Sequence, residues 1–154
     1  MASSTTIKLI TISWITKGDS EENLFNKFIC YWISFNCFYN NYTGKTIDRE
    51  ALNDLKNRRK ILSTYEVITT VPKNLELLKE LQNICPLRSV KNNSIKNIDD
   101  TNSFAQVVDV IYQIRCNLFH GGKEETNERD IQVVTAATPV LELLVKRITS
   151  DHIS

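Results

Sequence analysis

Apolar residues recur at helical spacing through most of the chain, with polar and turn-forming runs between the periodic stretches. The clearest early stretch is ENLFNKFICYWISFNCFYNNY, in which Leu24, Phe28, Trp32, Phe35 and Tyr39 recur every three or four residues. That spacing predicts a helix with a broad aromatic stripe, capped by Asp19 or Ser20 and ended by Thr43-Gly44. Asn36 falls on or beside the stripe, where an amide must be hydrogen-bonded if it is buried. Residues 48 to 67 predict a second helical region, and Pro72 opens a third that stops at Cys85-Pro86. The polar, Asn-rich residues 88 to 100 read as a surface loop.

The last third is the most regular. Phe104, Val107, Val108, Ile111, Ile114 and Leu118 share one face of a further helix, with Ser103 or Asp100 as its cap and Gly121-Gly122 as its stop. A final helix, from about residue 128 to 149, turns Val134, Ala137, Leu141, Val145 and Ile148 inward. Pro139 must kink or restart it, with Thr138 as the cap of a restarted segment. At the other end of the chain, TTIKLITISWIT (residues 5–16) is β-branched and uncharged apart from Lys8, which predicts a short strand or an extended arm. Together these patterns predict an all-α fold. It is an antiparallel bundle of four to five helices over residues 19–154, preceded by a short extended N-terminal arm over residues 1–18.

A chain of 154 residues, 42% hydrophobic and 24% charged, can bury a core without disulfides or metal. Its net charge of +1 supplies no global field for nucleic acid or membrane, so any such contact must be local or built from two chains. Cys30, Cys37, Cys85 and Cys116 form no CxxC pair and the chain has 2 histidines, so neither a metal site nor a cofactor is expected. Cys30 and Cys37 lie seven apart on one predicted helix, as core thiols would. Gly44-Lys45-Thr46 lacks the earlier glycine of a phosphate-binding loop, whose place Tyr39 takes. Neither a signal-peptide pattern nor an apolar run of membrane-spanning length is present, and the expectation is a cytoplasmic, reduced protein without membrane contact.

One stretch resists the core pattern. In QIRCNLFHGGK (residues 113–123), Arg115 projects into the middle of the stripe formed by Val108, Ile111 and Leu118. A guanidinium there must snorkel outward, pair with a buried acid, or lie under a second chain. His120 follows at the negative end of the helix dipole, and an imidazole suits a group that gains and loses a proton near neutrality. Five residues turn an ideal helix by about 140°, so Arg115 and His120 do not share a face, whereas Asn117 and His120 lie near one another. A joint site for Arg115 and His120 therefore needs a distorted last turn or a second copy of the helix, such as a two-fold dimer supplies. The simpler reading is an ion pair inside the bundle with His120 as a capping residue.

The Arg-x4-His motif at Arg115 to His120, followed by Gly121-Gly122-Lys123, resembles the signature of HEPN domains. The upstream FICYWISFNCFYN is similar to the F-x3-W-x2-F-N-x2-Y helix of the Apea-like HEPN branch. The resemblance implies an all-α protein that dimerises so that two Arg-x4-His motifs form one composite cleft. It also implies metal-independent endoribonuclease activity, in which the RNA 2′-hydroxyl attacks the adjacent phosphate and leaves a cyclic phosphate and a 5′-hydroxyl. Carried onto this chain, it makes His120 the general acid/base and Arg115 the group that holds the scissile phosphate. Asn117 would orient the histidine or the phosphate, Asn36 would support the site, and Lys123 would add a phosphate contact. The implied partners are an RNA substrate, a second copy of the chain and a regulatory or effector protein, in toxin or anti-phage defence. The alternative within the same resemblance is a non-catalytic HEPN module that binds RNA, nucleotide or a partner protein.

Overall fold

The computed structural model describes residues 3–120 and 127–153. Contacts group the chain into two compact units, residues 1–64 with 141–154, and residues 65–140.

The first unit holds α1 (Ser4–Ser20), α2 (Leu24–Thr43), α3 (Asp48–Leu55), the start of α4 (Arg59–Thr69) and the end of α7 (Glu128–His152). The segment expected to be extended is instead helix α1, and two causes are visible. Ser3 starts it by accepting the Thr6 N–H at 3.2 Å. Packing on α2 then overrides the weak β preference of its branched residues. The close fit is made by Gly18, where an added Cβ would sit 2.7 Å from Tyr31 Cε1. The Ser34 hydroxyl donates to the Thr11 carbonyl at 2.8 Å and ties the two helices midway.

The helix boundary moves with this correction. Asn23, not Asp19 or Ser20, caps α2 by accepting the Asn26 N–H at 3.1 Å. Asp19 instead accepts the Tyr31 hydroxyl at 2.5 Å and pairs with Lys146 at 2.8 Å. Phe28, Trp32, Phe35 and Tyr39 are buried as the stripe predicts, while Leu24 at its start remains exposed. Trp32, Phe35 and Tyr39 meet edge to face. Trp14, on α1, is half-buried beneath the Lys17 ammonium at 4.9 Å.

The single region expected over residues 48–67 divides into α3 and α4. The Asn57 and Arg58 N–H groups bond the carbonyls three residues back, at Asp54 and Leu55, which tightens the chain into a turn. At the end of α7, His152 Nε2 lies 2.7 Å from the Thr64 hydroxyl. Burial pushes its imidazole below the usual histidine range, with Lys60 acting in the same direction and Asp151 against it.

The second unit holds the end of α4, α5 (Pro72–Asn83), α6 (Phe104–Phe119), the first half of α7, and a small antiparallel hairpin of β1 (Leu87–Arg88) and β2 (Ile95–Lys96). The hairpin stands where a surface loop was expected, with Leu87 opposite Lys96 and Arg88 opposite Ile95. Asn93 supplies its left-handed residue at φ 60°. Ser103 caps α6 by accepting the Gln106 N–H at 3.3 Å. Phe104, Val107, Val108, Ile111 and Ile114 are buried, and Leu118 is half-buried.

Helix α7 runs through Pro139 without restarting, and Thr138 does not cap a new segment. Its hydroxyl donates to the Val134 carbonyl at 2.7 Å, one turn back. Val134 and Ala137 are buried in the second unit, and Leu141, Val145 and Ile148 in the first. The fold is all-α, as the sequence predicted. The described residues form 7 helices, more than the expected four to five, because α1 is added and one predicted region is divided. No helix among the described residues is long and apolar enough to cross a membrane.

Candidate functional site

The Arg-x4-His segment forms the last turns of α6. The helix stays regular to its end, where the His120 N–H bonds the Cys116 carbonyl at 3.1 Å. No distortion of the final turn therefore turns Arg115 and His120 toward one face. The two project about 140° apart, as on an ideal helix.

Arg115, expected in the middle of the apolar stripe, is half-buried. Its guanidinium carbon lies 4.8 Å from the centroid of the Phe119 ring, one turn on. Phe119 is itself 54% exposed, while the Arg115 Nε is buried. A cation over an aromatic face at such a site contributes about 0.5–1 kcal/mol. Phe119 was not singled out in the sequence, although its i, i+4 spacing from Arg115 was the signal for it. His120 is exposed and serves as the C-cap of α6.

Asn117 is committed elsewhere. Its Oδ1 accepts the Val90 N–H at 3.0 Å and the Gln113 side-chain amide at 2.9 Å, and its Nδ2 donates to the Arg88 carbonyl at 3.0 Å. These bonds clasp the hairpin onto α6. Nothing in the sequence marked this, because the partners lie 27 and 29 residues away and are backbone groups.

Asn36 belongs to the first unit, whereas Arg115, Asn117 and His120 belong to the second. As its position in the aromatic helix required, its amide is satisfied. It donates to the Tyr39 hydroxyl at 2.7 Å and to Asp48 at 2.8 Å. Gly121, Gly122 and Lys123 lie outside the described residues.

A cavity of about 190 Å³ opens beside Asn117, walled by Leu87 and Arg88 of the hairpin, Ile114 of α6, and Arg129 and Asp130 of α7. Asp130 is 6% exposed, and its N–H is held by the Asn127 side chain at 3.0 Å in the first turn of α7. Arg129 reaches across to the carbonyls of Ile84 and Pro86, at 2.7 and 3.4 Å. The four cysteines are free thiols. Among the described residues, no three or more His, Cys, Asp or Glu side chains gather as metal ligands. In comparisons with known proteins, no family model, no curated protein and no solved structure matches this chain.

Proposed function

We propose that this chain is a metal-independent endoribonuclease of the HEPN type, acting as a homodimer in toxin or anti-phage defence. One observation carries the reading. Arg115, half-buried, and His120, exposed, lie in the last turns of α6 on faces about 140° apart, so a site that uses both needs a second chain. In such a site, His120 of one copy takes the proton of the RNA 2′-hydroxyl as its oxygen bonds to phosphorus. The P–O5′ bond breaks, and the proton returns to the departing 5′-oxygen. Arg115 of the other copy neutralises the charge that builds on the phosphate oxygens. Asn117 acts on the reaction by holding the hairpin beside the motif, since its amide is already hydrogen-bonded.

The same commitment of Asn117 favours a second reading, a module that binds RNA, nucleotide or a protein partner without cutting. RNA incubated in EDTA with wild type, Arg115→Ala and His120→Ala separates the two. The nuclease reading expects cleavage by wild type, a loss of roughly 100-fold or more in each variant, and partial recovery when the two inactive variants are mixed. Undiminished cutting by both variants would sink it. RNA retention without products in wild type would favour the binding module.

A further inference from the structure

The first unit contains a groove that its own side chains leave unfilled. Lys8, Ile12 and Ile15 recur at i, i+4 and i+7 and form one stripe of α1. Lys146 and Thr149 of α7 line the other side, together with Ile153 just past its end. The cavity between them measures about 350 Å³, within the ~300–1,000 Å³ range typical of small-molecule sites.

Two of the polar groups along the groove are already engaged. The Thr149 hydroxyl donates to the Val145 carbonyl of its own helix. Asp19 and Glu142 hold the Lys146 ammonium at 2.8 and 2.9 Å, so its alkyl stem is what it adds to the wall. Ser150 contributes an exposed but neutral hydroxyl. Lys8 differs from these. It is exposed, and no hydrogen bond or ion pair among the described residues engages its ammonium. Among the described lining residues there is no acid to neutralise it. The groove therefore offers a ligand the aliphatic surface of Ile12, Ile15 and Ile153, of which Ile12 is 46% exposed, and one open cation beside it.

That combination has a chemical complement. The aliphatic surface favours an apolar body, and a single ammonium favours a single negative charge at one end of it. A phosphate head would bring a charge of about −1.5 to −2 to one cation. An aromatic body would find no aromatic side chain among the described lining residues to stack on.

We propose that the groove between α1 and the end of α7 binds an aliphatic monocarboxylate, its chain against Ile12, Ile15 and Ile153 and its carboxylate at Lys8. The proposal does not rest on the ribonuclease reading, because every residue it uses belongs to the first unit, whereas Arg115 and His120 belong to the second.

The test titrates octanoate, octanol, octylamine and octyl phosphate separately into the full chain, each below its micelle concentration, by calorimetry and by amide chemical shifts. The expected result is saturable one-to-one binding of octanoate, with shifts confined to residues 8–15 and 146–153. Octanol should bind roughly two- to fivefold more weakly, the worth of one exposed ion pair, and octylamine more weakly still. Octyl phosphate should gain nothing over octanoate. Lys8→Ala should lower octanoate to the affinity of octanol and leave octanol unchanged, whereas Ile12→Ser should weaken both. Both side chains are exposed, so the variants should keep the helicity of the wild type, read by circular dichroism. Absence of saturable binding overturns the proposal, as does octanol, octylamine or octyl phosphate binding more tightly than octanoate. An octanoate affinity unchanged in folded Lys8→Ala or Ile12→Ser overturns it as well. Shifts at residues 8–15 that grow with protein concentration alone and exclude octanoate would assign the groove to a second copy of the chain, against the proposal.

Discussion

Replacing Asn117 by alanine distinguishes a chemical role for this residue from a structural one. The substitution removes two bonds that hold the hairpin to α6, from the Val90 N–H to Oδ1 and from Nδ2 to the Arg88 carbonyl, both at 3.0 Å. Hydrogen bonds of this kind contribute about 0.5–1.5 kcal/mol each. Water can reach these groups, which places the pair at the low end, at roughly 1–2 kcal/mol. Alanine returns part of this, about 0.5 kcal/mol, through its higher helix propensity. The net cost is about 1 kcal/mol, which for a chain of this size lowers Tm by about 2–4 °C. Its clearest signature is local. The Val90 amide should exchange with solvent roughly fivefold faster by NMR, while the amides of Val107 to Ile111 in the buried part of α6 slow or quicken only with global stability. An unchanged Val90 exchange rate would refute the clasp. Loss of RNA cleavage together with faster Val90 exchange would agree with the positioning role, whereas loss with Val90 exchange unchanged would mean that Asn117 acts on the substrate directly.

Gly18→Ala should lower Tm even though alanine is the better helix former, because the new Cβ meets Tyr31 at 2.7 and 2.9 Å. Overpacking costs about 1–3 kcal/mol and propensity returns about 1 kcal/mol, so the net is a loss of about 1 kcal/mol; a rise in Tm would contradict the packing argument. His152 makes the fold sensitive to mild acid. Because its folded-state pKa lies below the unfolded value of about 6.5, the unfolded chain binds the extra proton first, and stability is lost as pH falls below neutrality. Urea midpoints should therefore be higher at pH 7.5 than at pH 5.5, and His152→Gln should flatten that slope; an unchanged slope would assign the effect to other groups.

What the sequence made legible follows from how local each signal is. The stripe of α6 and the inward face of α7 came through because Val107, Ile111, Ile114, Val134, Leu141 and Val145 carry a periodicity that needs no tertiary knowledge. Helix α1 was misread because its branched residues favour strands on average, while the deciding contact, Gly18 against Tyr31, joins two segments. The break between α3 and α4 contains neither glycine nor proline, so Lys56 to Arg58 gave no local warning. At the candidate site, the spacing of Arg115 and His120 foretold their separation on the helix. The hairpin, the clasp through Asn117 and the cavity with Asp130 arise from backbone groups and side chains far apart in sequence. No window of residues could have displayed them.

The positions of the two tryptophans have a practical consequence. Trp14 and Trp32 both belong to the first unit, and Trp32 is buried while Trp14 keeps partial access to water. Tryptophan emission is thus a built-in reporter of residues 1–64 and 141–154, whereas far-ultraviolet circular dichroism sums the helices of both units. Recorded together through one denaturant titration, the two signals measure whether the units melt as one thermodynamic body. Coincident curves mean a single cooperative transition, and an emission change that leads or trails the loss of helicity means two.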